Sequence, residues 1–272
     1  MLEYTLELPE PLHEDIGALL LAAGAEGCWS DGNLLRIYAT AEAFERTANS
    51  VLAAFEKKLP PGHPLPDTNW NATWEAQVKP FTVGNSLEVL AAHHVPSGTA
   101  ELSLRLPRLG AFGTGHHPTT ELLVREVLAH LLEGLAVADL GCGLGLLGLV
   151  AAHKGAKRVW FLDNNPVALD VTRENVAANY PPAAQLFFTT GTPATPPPFL
   201  AQVAFANINR NVHVAYAQAY AKLLVPNGLL WLSGVYANDT APVSEALQQA
   251  GFHCEAEKTQ QEWWASAWRH KA

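Results

Sequence analysis

From residue 135 onward the apolar positions keep a regular rhythm. Strand-like runs at 135–140, 158–163, 185–190, 202–207 and 229–235 alternate with helical stretches at 145–154, 166–179, 211–224 and 240–250. Such alternation predicts a parallel sheet covered by helices on both faces. The last two runs, Phe252 to Glu257 and Trp263 to Arg269, are joined by too short a connection for a crossover, so they are expected to pair antiparallel. The pattern predicts an α/β fold: a doubly wound, mostly parallel sheet of seven strands finished by an antiparallel pair.

The first 60 residues read as a smaller α/β unit. Tyr4-Thr5-Leu6-Glu7-Leu8 alternates like a strand, and residues near 12–23 carry an apolar helical pattern that stops at Gly24. Cys28-Trp29-Ser30 and Leu34 to Tyr38 flank Asp31-Gly32-Asn33, a hairpin signal. A second helix is expected from about Glu42 to Lys58. The proline-rich stretch from Leu59 to Pro66 continues neither element and reads as a linker. A short helix is expected over 68–79, where Trp70, Trp74 and Gln77 share one face. Strand-like stretches follow near 82–92 and 100–106, then a glycine-rich loop at 110–118 and an amphipathic helix from about Thr119 to Leu132. These boundaries divide the chain into residues 1–58, a linker with its helix at 59–80, and a larger domain at 81–272.

Composition narrows the class. With 272 residues, 49% of them hydrophobic and 16% charged, there is ample material for packed cores. No apolar run reaches the ~18–20 residues that span a bilayer, and the start lacks the basic-then-apolar order of a secretion signal. A cytoplasmic location is expected, with no membrane partner. The three cysteines, Cys28, Cys142 and Cys254, are far apart and form neither a disulfide framework nor paired metal-ligand spacing. His93-His94 and His116-His117 are adjacent pairs whose side chains point in different directions, so no metal is expected. The net charge of −9 is concentrated at the start, where residues 1–60 hold ten acidic and four basic side chains. Direct nucleic-acid binding is disfavoured, because phosphate contacts need a surplus of Lys and Arg. An acidic module can attract a basic protein, and it can equally be solvated surface.

The chemistry concentrates where strands end. Leu135 to Leu140 reads as a buried strand, and Gly141-Cys-Gly-Leu-Gly145 turns directly into a helix. Glycines there let the backbone turn tightly and approach a ligand closely. Asp163 ends the next strand, 22 residues after Gly141, placed to accept both hydroxyls of an adenosine ribose. A dinucleotide fingerprint fails at its third glycine, where Leu146 stands. Asp139, just before the loop, would repel a pyrophosphate and attract the α-ammonium of S-adenosyl-L-methionine. A plain tight turn is the alternative. Asn207 ends the fourth regular strand, where an amide can meet an amine or cofactor or can cap the following helix; Asn209 and Asn211 are better placed as caps. In Phe112-Gly-Thr-Gly-His-His-Pro-Thr-Thr120, Gly113 and Gly115 suggest a loop closing over something, and Thr119 and Thr120 can cap a helix or face a ligand. His116 and His117 are candidate bases.

Together these residues resemble the PrmA-type methyltransferases of ribosomal large-subunit protein eleven. The resemblance rests on Phe112 to Thr120, Asp139-Leu-Gly-Cys-Gly-Leu-Gly145, Asp163 with Pro166 after it, Ala206-Asn207, Leu232-Ser-Gly-Val235 and the tryptophan-bearing stretch Asn69 to Lys79. It spans about residues 3 to 269, more loosely over the first 60. It implies a class I methyltransferase sheet with a smaller N-terminal, ferredoxin-like, substrate-recognition domain. It further implies S-adenosyl-L-methionine as cofactor, with Thr120, Gly141, Asp163 and Asn207 as its contacts, to which the glycine loop adds Gly143 as an expected contact. The implied reaction methylates lysine and N-terminal amines of a basic ribosomal large-subunit protein, by a monomer, with no catalytic base identified. Leu144 stands where the family has a small polar residue, Asn165 where it has a second acid, and Pro107-Arg-Leu-Gly-Ala111 holds an extra residue. Two alternatives stay open: an amine methyltransferase acting on another protein or a small molecule, and a non-catalytic cofactor-binding protein.

Overall fold

A computed structural model describes residues 1–9, 12–64, 78–109, 111–179 and 184–271. The chain divides into two compact units, Met1–Trp70 and Asn71–Ala272.

In the first unit the elements run β1 (Leu2–Glu7), α1 (His13–Ala22), β2 (Gly27–Asp31), β3 (Leu34–Ala39), α2 (Ala41–Ala53) and β4 (His63–Pro64). The sheet order is β2-β3-β1-β4, with every pair antiparallel. That is the ferredoxin-like arrangement. The predicted hairpin forms as Asp31 pairs with Leu34 across Gly32-Asn33, and Gly32 takes a φ of 59° that suits glycine. Tyr4, Leu6, Ile16, Leu20, Leu35, Ile37, Phe44 and Leu52 close a core of their own. Two expectations change. Helix α2 ends at Ala53 rather than near Lys58, because the chain leaves it through Glu56 at φ 55°, a left-handed residue that stops the helical ladder. The proline-rich stretch contributes a two-residue edge strand, β4, the position in a sheet where proline is tolerated. The helix expected over 68–79 lies almost wholly outside the described residues; Val78 and Lys79 have no regular structure.

The second unit begins with β5 (Phe81–Val83), β6 (Leu87–Ala91) and β7 (Leu102–Leu106). The run expected as one strand near 82–92 is a hairpin, broken at Gly84, whose φ is 53°. The three strands form a separate small sheet, with β6 and β7 parallel. Then follow α3 (Pro118–Ala129), β8 (Ala136–Leu140), α4 (Leu146–His153), β9 (Arg158–Asp163), α5 (Pro166–Asn179), β10 (Gln185–Thr190) and β11 (Ala201–Asn207). The chain continues through α6 (Arg210–Leu223), β12 (Leu224–Tyr236), α7 (Ala241–Gln249), β13 (Phe252–Gln260) and β14 (Trp263–His270). The seven-stranded order is β10-β9-β8-β11-β12-β14-β13. Strands β8 to β12 pair in parallel, and β14 pairs antiparallel with both β12 and β13. Strand β12 starts earlier than its apolar run: Leu224 pairs with Ala201, and a register shift at the Pro226-Asn227-Gly228 turn precedes the regular ladder.

Alternation along the strands feeds two cores. On one face α3, α4, α5 and the small sheet meet Val137, Val159, Phe161, Phe205 and Trp231. On the other, α6 and α7 meet Ala138, Trp160, Leu162, Ala204 and Leu230. At about 1.5–3 kcal/mol for each large apolar side chain fully buried, both faces are strongly held. The strand order reverses between β8 and β11, and the crevice above their carboxyl ends is where such sheets bind ligands.

Candidate functional site

Strand β8 ends at Leu140, and the chain turns through Gly141, Gly143 and Gly145, at φ values of 69°, 53° and 79°. These are backbone states that side chains rarely adopt. Leu162 O of β9 accepts hydrogen bonds from Gly141 N at 2.7 Å and Cys142 N at 3.0 Å. Space demands glycine as well. A Cβ on Gly143 would collide with the Phe112 carbonyl oxygen, and one on Gly145 would meet Thr172 Cγ2 at 2.6 Å.

Two neighbouring strand ends complete this turn. Asp163 Oδ2 accepts from Gly143 N at 3.0 Å, and its Oδ1 accepts from Asn165 N at 2.9 Å. The carboxylate thus braces the glycine turn and keeps further lone pairs for a ligand. Asn165 Oδ1 accepts from Val167 N at 3.0 Å, so the amide shapes the entry to α5 without the charge of a second acid. On the other side Asn207 Nδ2 donates to Thr120 Oγ1 at 3.0 Å, joining the end of β11 to the first turn of α3.

Thr120 is held inward because His117 starts α3. His117 Nδ1 accepts from Thr119 N at 3.4 Å and lies 2.8 Å from Thr119 Oγ1. Pro118 occupies the first turn, where a missing N–H costs nothing. His116 Nδ1 lies 3.1 Å from Thr114 Oγ1, and its ring meets Phe81 edge-on. Both histidines therefore have structural engagements. Asn209 is the cap of α6, accepting from Val212 N at 3.1 Å, whereas Asn211 instead accepts from the Arg210 guanidinium.

The loop at 112–117 lies directly on the glycine turn, with Leu144 N donating to Phe112 O at 3.0 Å. Leu144 is fully buried in the core, so the apolar residue there serves packing. Arg108, just before this loop, is tied in from α5. Asn175 Nδ2 donates to Arg108 O and Leu144 O, both at 3.1 Å, and Asn175 Oδ1 accepts from Arg108 N at 3.2 Å. Thr172 Oγ1 donates to Gly143 O at 2.7 Å. Thr172 and Asn175 escaped the sequence reading. Their signal was two polar residues three apart on the same helical face as Leu169 and Val176.

Asp139 lies beneath the turn, 1% exposed, with Oδ2 accepting from Gly148 N at 2.8 Å. Burial pushes its carboxyl up to about 8, against the opposing Gly148 hydrogen bond and with a further push from Asp163. Gly148 is needed there too, since a Cβ would collide with the Phe161 ring.

Around these groups two cavities meet at Gly141. One is bounded by Phe112, Thr120, Asp139, Leu146 and Asn207. The other is bounded by Asp163, Asn164, Thr192, Ile208 and Tyr216. Thr120 and Asn207 thus line one cavity and Asp163 the other, Gly141 borders both, and Gly143 is tied to Asp163 through its N–H. Among the described residues no cluster of three His, Cys, Asp or Glu side chains could hold a metal.

Together the two cavities present polar groups at Thr120, Asp139 and Asn207, the glycine turn at Gly141, and apolar side chains at Ile208 and Tyr216. These fit an amino-acid moiety, its link, and a nucleoside. Residues 21–271 match the family described as Ribosomal protein L11 methyltransferase (PrmA). A ribosomal protein L11 methyltransferase from Pseudomonas paraeruginosa is 32% identical over 92% of this chain and 84% of its own length. One from Pelobacter propionicus is 35% identical over 75% of this chain and 67% of its own. The crystal structure of a ribosomal protein L11 methylase from Lactobacillus delbrueckii subsp. bulgaricus shares the fold at 22% identity. It covers 72% of this chain and all of that one, with a TM-score of 0.64. By sequence along nearly its whole length, the chain belongs to the ribosomal protein L11 methyltransferase (PrmA) family.

Proposed function

We propose that the protein moves methyl groups from S-adenosylmethionine to lysine and N-terminal amines of ribosomal protein L11, with the crevice at Gly141 as the site of transfer. The observation that carries this is the Asn207–Thr120 hydrogen bond at the mouth of the glycine turn. It sets a neutral amide, beside the end of β11, where an amine can be met without an opposing charge.

The cofactor fits the residues present. Asp163 and the apolar slot at Ile208 and Tyr216 would take the adenosine end. Gly141 and Gly143 would allow close passage, and Asp139 with Thr120 would face the amino-acid end. When bound, the cofactor supplies an activated methyl group on a positively charged sulfur. The chain's task is alignment and exclusion of water. A lysine amine is protonated near neutral pH, with an ordinary pKa of about 10.4. Apolar walls such as Phe112, Leu146 and Leu147 disfavour the charged form, so the amine gives its proton to solvent water before it attacks. Asn207 gives its Nδ2 to Thr120, which leaves the Oδ1 acceptor to orient an amine N–H. We assign no general base.

The remaining assignments follow the same reading. Residues 1–58 recognise the basic substrate, 59–80 connect, and 81–272 carry transfer. The protein acts as a cytoplasmic monomer; no helix among the described residues is long and apolar enough to cross a membrane. The test is incubation with methyl-labelled S-adenosylmethionine and unmethylated ribosomal protein L11, followed by mapping of the product by mass spectrometry. Label on L11 lysines and the N-terminal amine is expected. Label only on a small-molecule amine, or cofactor binding without turnover, would favour the two alternatives.

A further inference from the structure

Beyond the crevice, β12 ends in a half-exposed aromatic side chain that no core requires. Tyr236 is 49% exposed. Its ring stacks on Trp263 at 4.2 Å between centroids and 25° between planes, as the antiparallel register of β12 and β14 dictates. Trp263 meets His117 edge-on at 4.8 Å, and His117 meets Phe112 at 5.3 Å. Phe112 borders the cavity that holds Thr120 and Asn207. Four rings thus form an unbroken row, exposed at both its ends, from Tyr236 to the edge of the candidate transfer site at Phe112.

The outer end of the row borders an open cavity of about 410 Å³ lined by Tyr236, Ala237, Asn238 and Glu262. Its two rims are joined, with Ala237 N donating to Glu262 O at 2.8 Å. Asp239, next in the same loop, gives its carboxylate to the Arg210 guanidinium at 2.9 and 3.0 Å. Glu262 is therefore the anion of this cavity, and none of its lining residues is a cation. An exposed aromatic face beside an unopposed carboxylate attracts a cation.

We infer that Tyr236, Trp263 and Glu262 form an outer vestibule that captures the ammonium group of the incoming amine before it enters the Thr120–Asn207 cavity. The inference rests on the amine-methylation reading above. Its occupant is a protonated side-chain or terminal amine of the polypeptide substrate. A methylated ammonium keeps its charge and binds aromatic faces at least as well, so the vestibule also retains partly methylated intermediates for another round.

The test is steady-state methylation of ribosomal protein L11 by the full chain, with cofactor affinity measured separately by calorimetry. Tyr236→Leu is expected to raise KM for L11 about fivefold, the scale of a lost exposed cation–π contact. Values of kcat and cofactor Kd should stay within about twofold, while more product stops at partial methylation. Tyr236→Phe, which keeps the stacked ring, should stay close to wild type. Glu262→Gln should raise KM and weaken its dependence on salt. Unchanged KM in both Tyr236→Leu and Glu262→Gln would overturn the vestibule. So would equal losses in Tyr236→Leu and Tyr236→Phe, or a loss of cofactor affinity in place of the KM effect. A wild-type protein that binds cofactor yet moves no methyl onto L11 would refute the amine-methylation reading, and the vestibule with it. Active wild type with indifferent variants refutes the vestibule alone.

Discussion

Burial dominates the behaviour of Asp139. Its carboxyl is raised to about 8, above its unfolded value of 3.8, so the ligand-free native state holds a proton that the unfolded chain releases. That contribution to stability is full below about pH 4 and is lost as pH rises to about 8. His213 acts in the opposite sense. Buried between Tyr220 OH and Ser233 O, its imidazole is pushed down to about 4, so its contribution is present above pH 6.5 and is lost as pH falls. Above about pH 6.5 only the Asp139 effect remains of these two. The melting temperature of the cofactor-free protein should therefore fall between pH 6.5 and 8, and fall less in Asp139→Asn, whose amide oxygen can still accept from Gly148 N–H. A cationic amino group seated at Asp139 would favour its ionised form. Calorimetry at pH 7 in buffers of different ionisation enthalpy should then show proton release on cofactor binding, absent in Asp139→Asn. Equal proton counts in the two proteins would remove Asp139 from the cofactor site. The sequence placed Asp139 at the turn and assigned it an attraction for the ammonium. It could not reveal the hydrogen bond to Gly148 or the proton, because both follow from how α4 packs on β8.

At the scale of elements, the glycine turn, the 112–117 loop and α5 act as one unit. Gly143→Ala would drive a methyl group into the Phe112 carbonyl at a φ of 53°. The loop must shift to admit it. Cofactor affinity should drop more than tenfold while far-UV circular dichroism stays unchanged, and unaltered affinity would mean the loop contact is irrelevant to binding. Thr172→Val removes one hydrogen bond to Gly143 O, worth about 1 kcal/mol, so its expected loss is about fivefold. Gly148→Ala instead strikes the Phe161 ring and should lower unfolding stability by about 1–3 kcal/mol, read by denaturant titration. The regular elements from residue 135 onward were legible because apolar periodicity fixes strand and helix directly. What escaped was set by backbone chemistry rather than hydrophobicity. The hairpin at Gly84, the stop of α2 at Glu56 and the bulge before Leu229 all turn on positive-φ residues that an apolar pattern does not register. Asn175 was invisible for a related reason: its partners, Arg108 and Leu144, lie 67 and 31 residues away.

For the whole molecule, the two units have separate cores, so removal of residues 1–66 leaves the sheet, crevice and Asn207 intact. The truncated protein should bind cofactor with near wild-type affinity and lose methylation of L11. Retained L11 methylation would move substrate recognition out of the first unit. The acidic excess of residues 1–60 carries a corollary, that KM for a basic substrate should rise with ionic strength. The fold class was readable from the chain; that Thr120 and Asn207 line one cavity, with Gly141 shared by the next, was visible only in three dimensions, and lining residues such as Ile208 and Tyr216 carried no signal. Transfer is assigned to the Thr120–Asn207 pair. Single-turnover methylation of ribosomal protein L11, with S-adenosylmethionine prebound to wild type and to Asn207→Ala, tests that assignment most directly. Wild type should transfer rapidly and Asn207→Ala at least about a hundredfold more slowly, with the variant still folded. Equal rates in the two proteins would contradict the assignment.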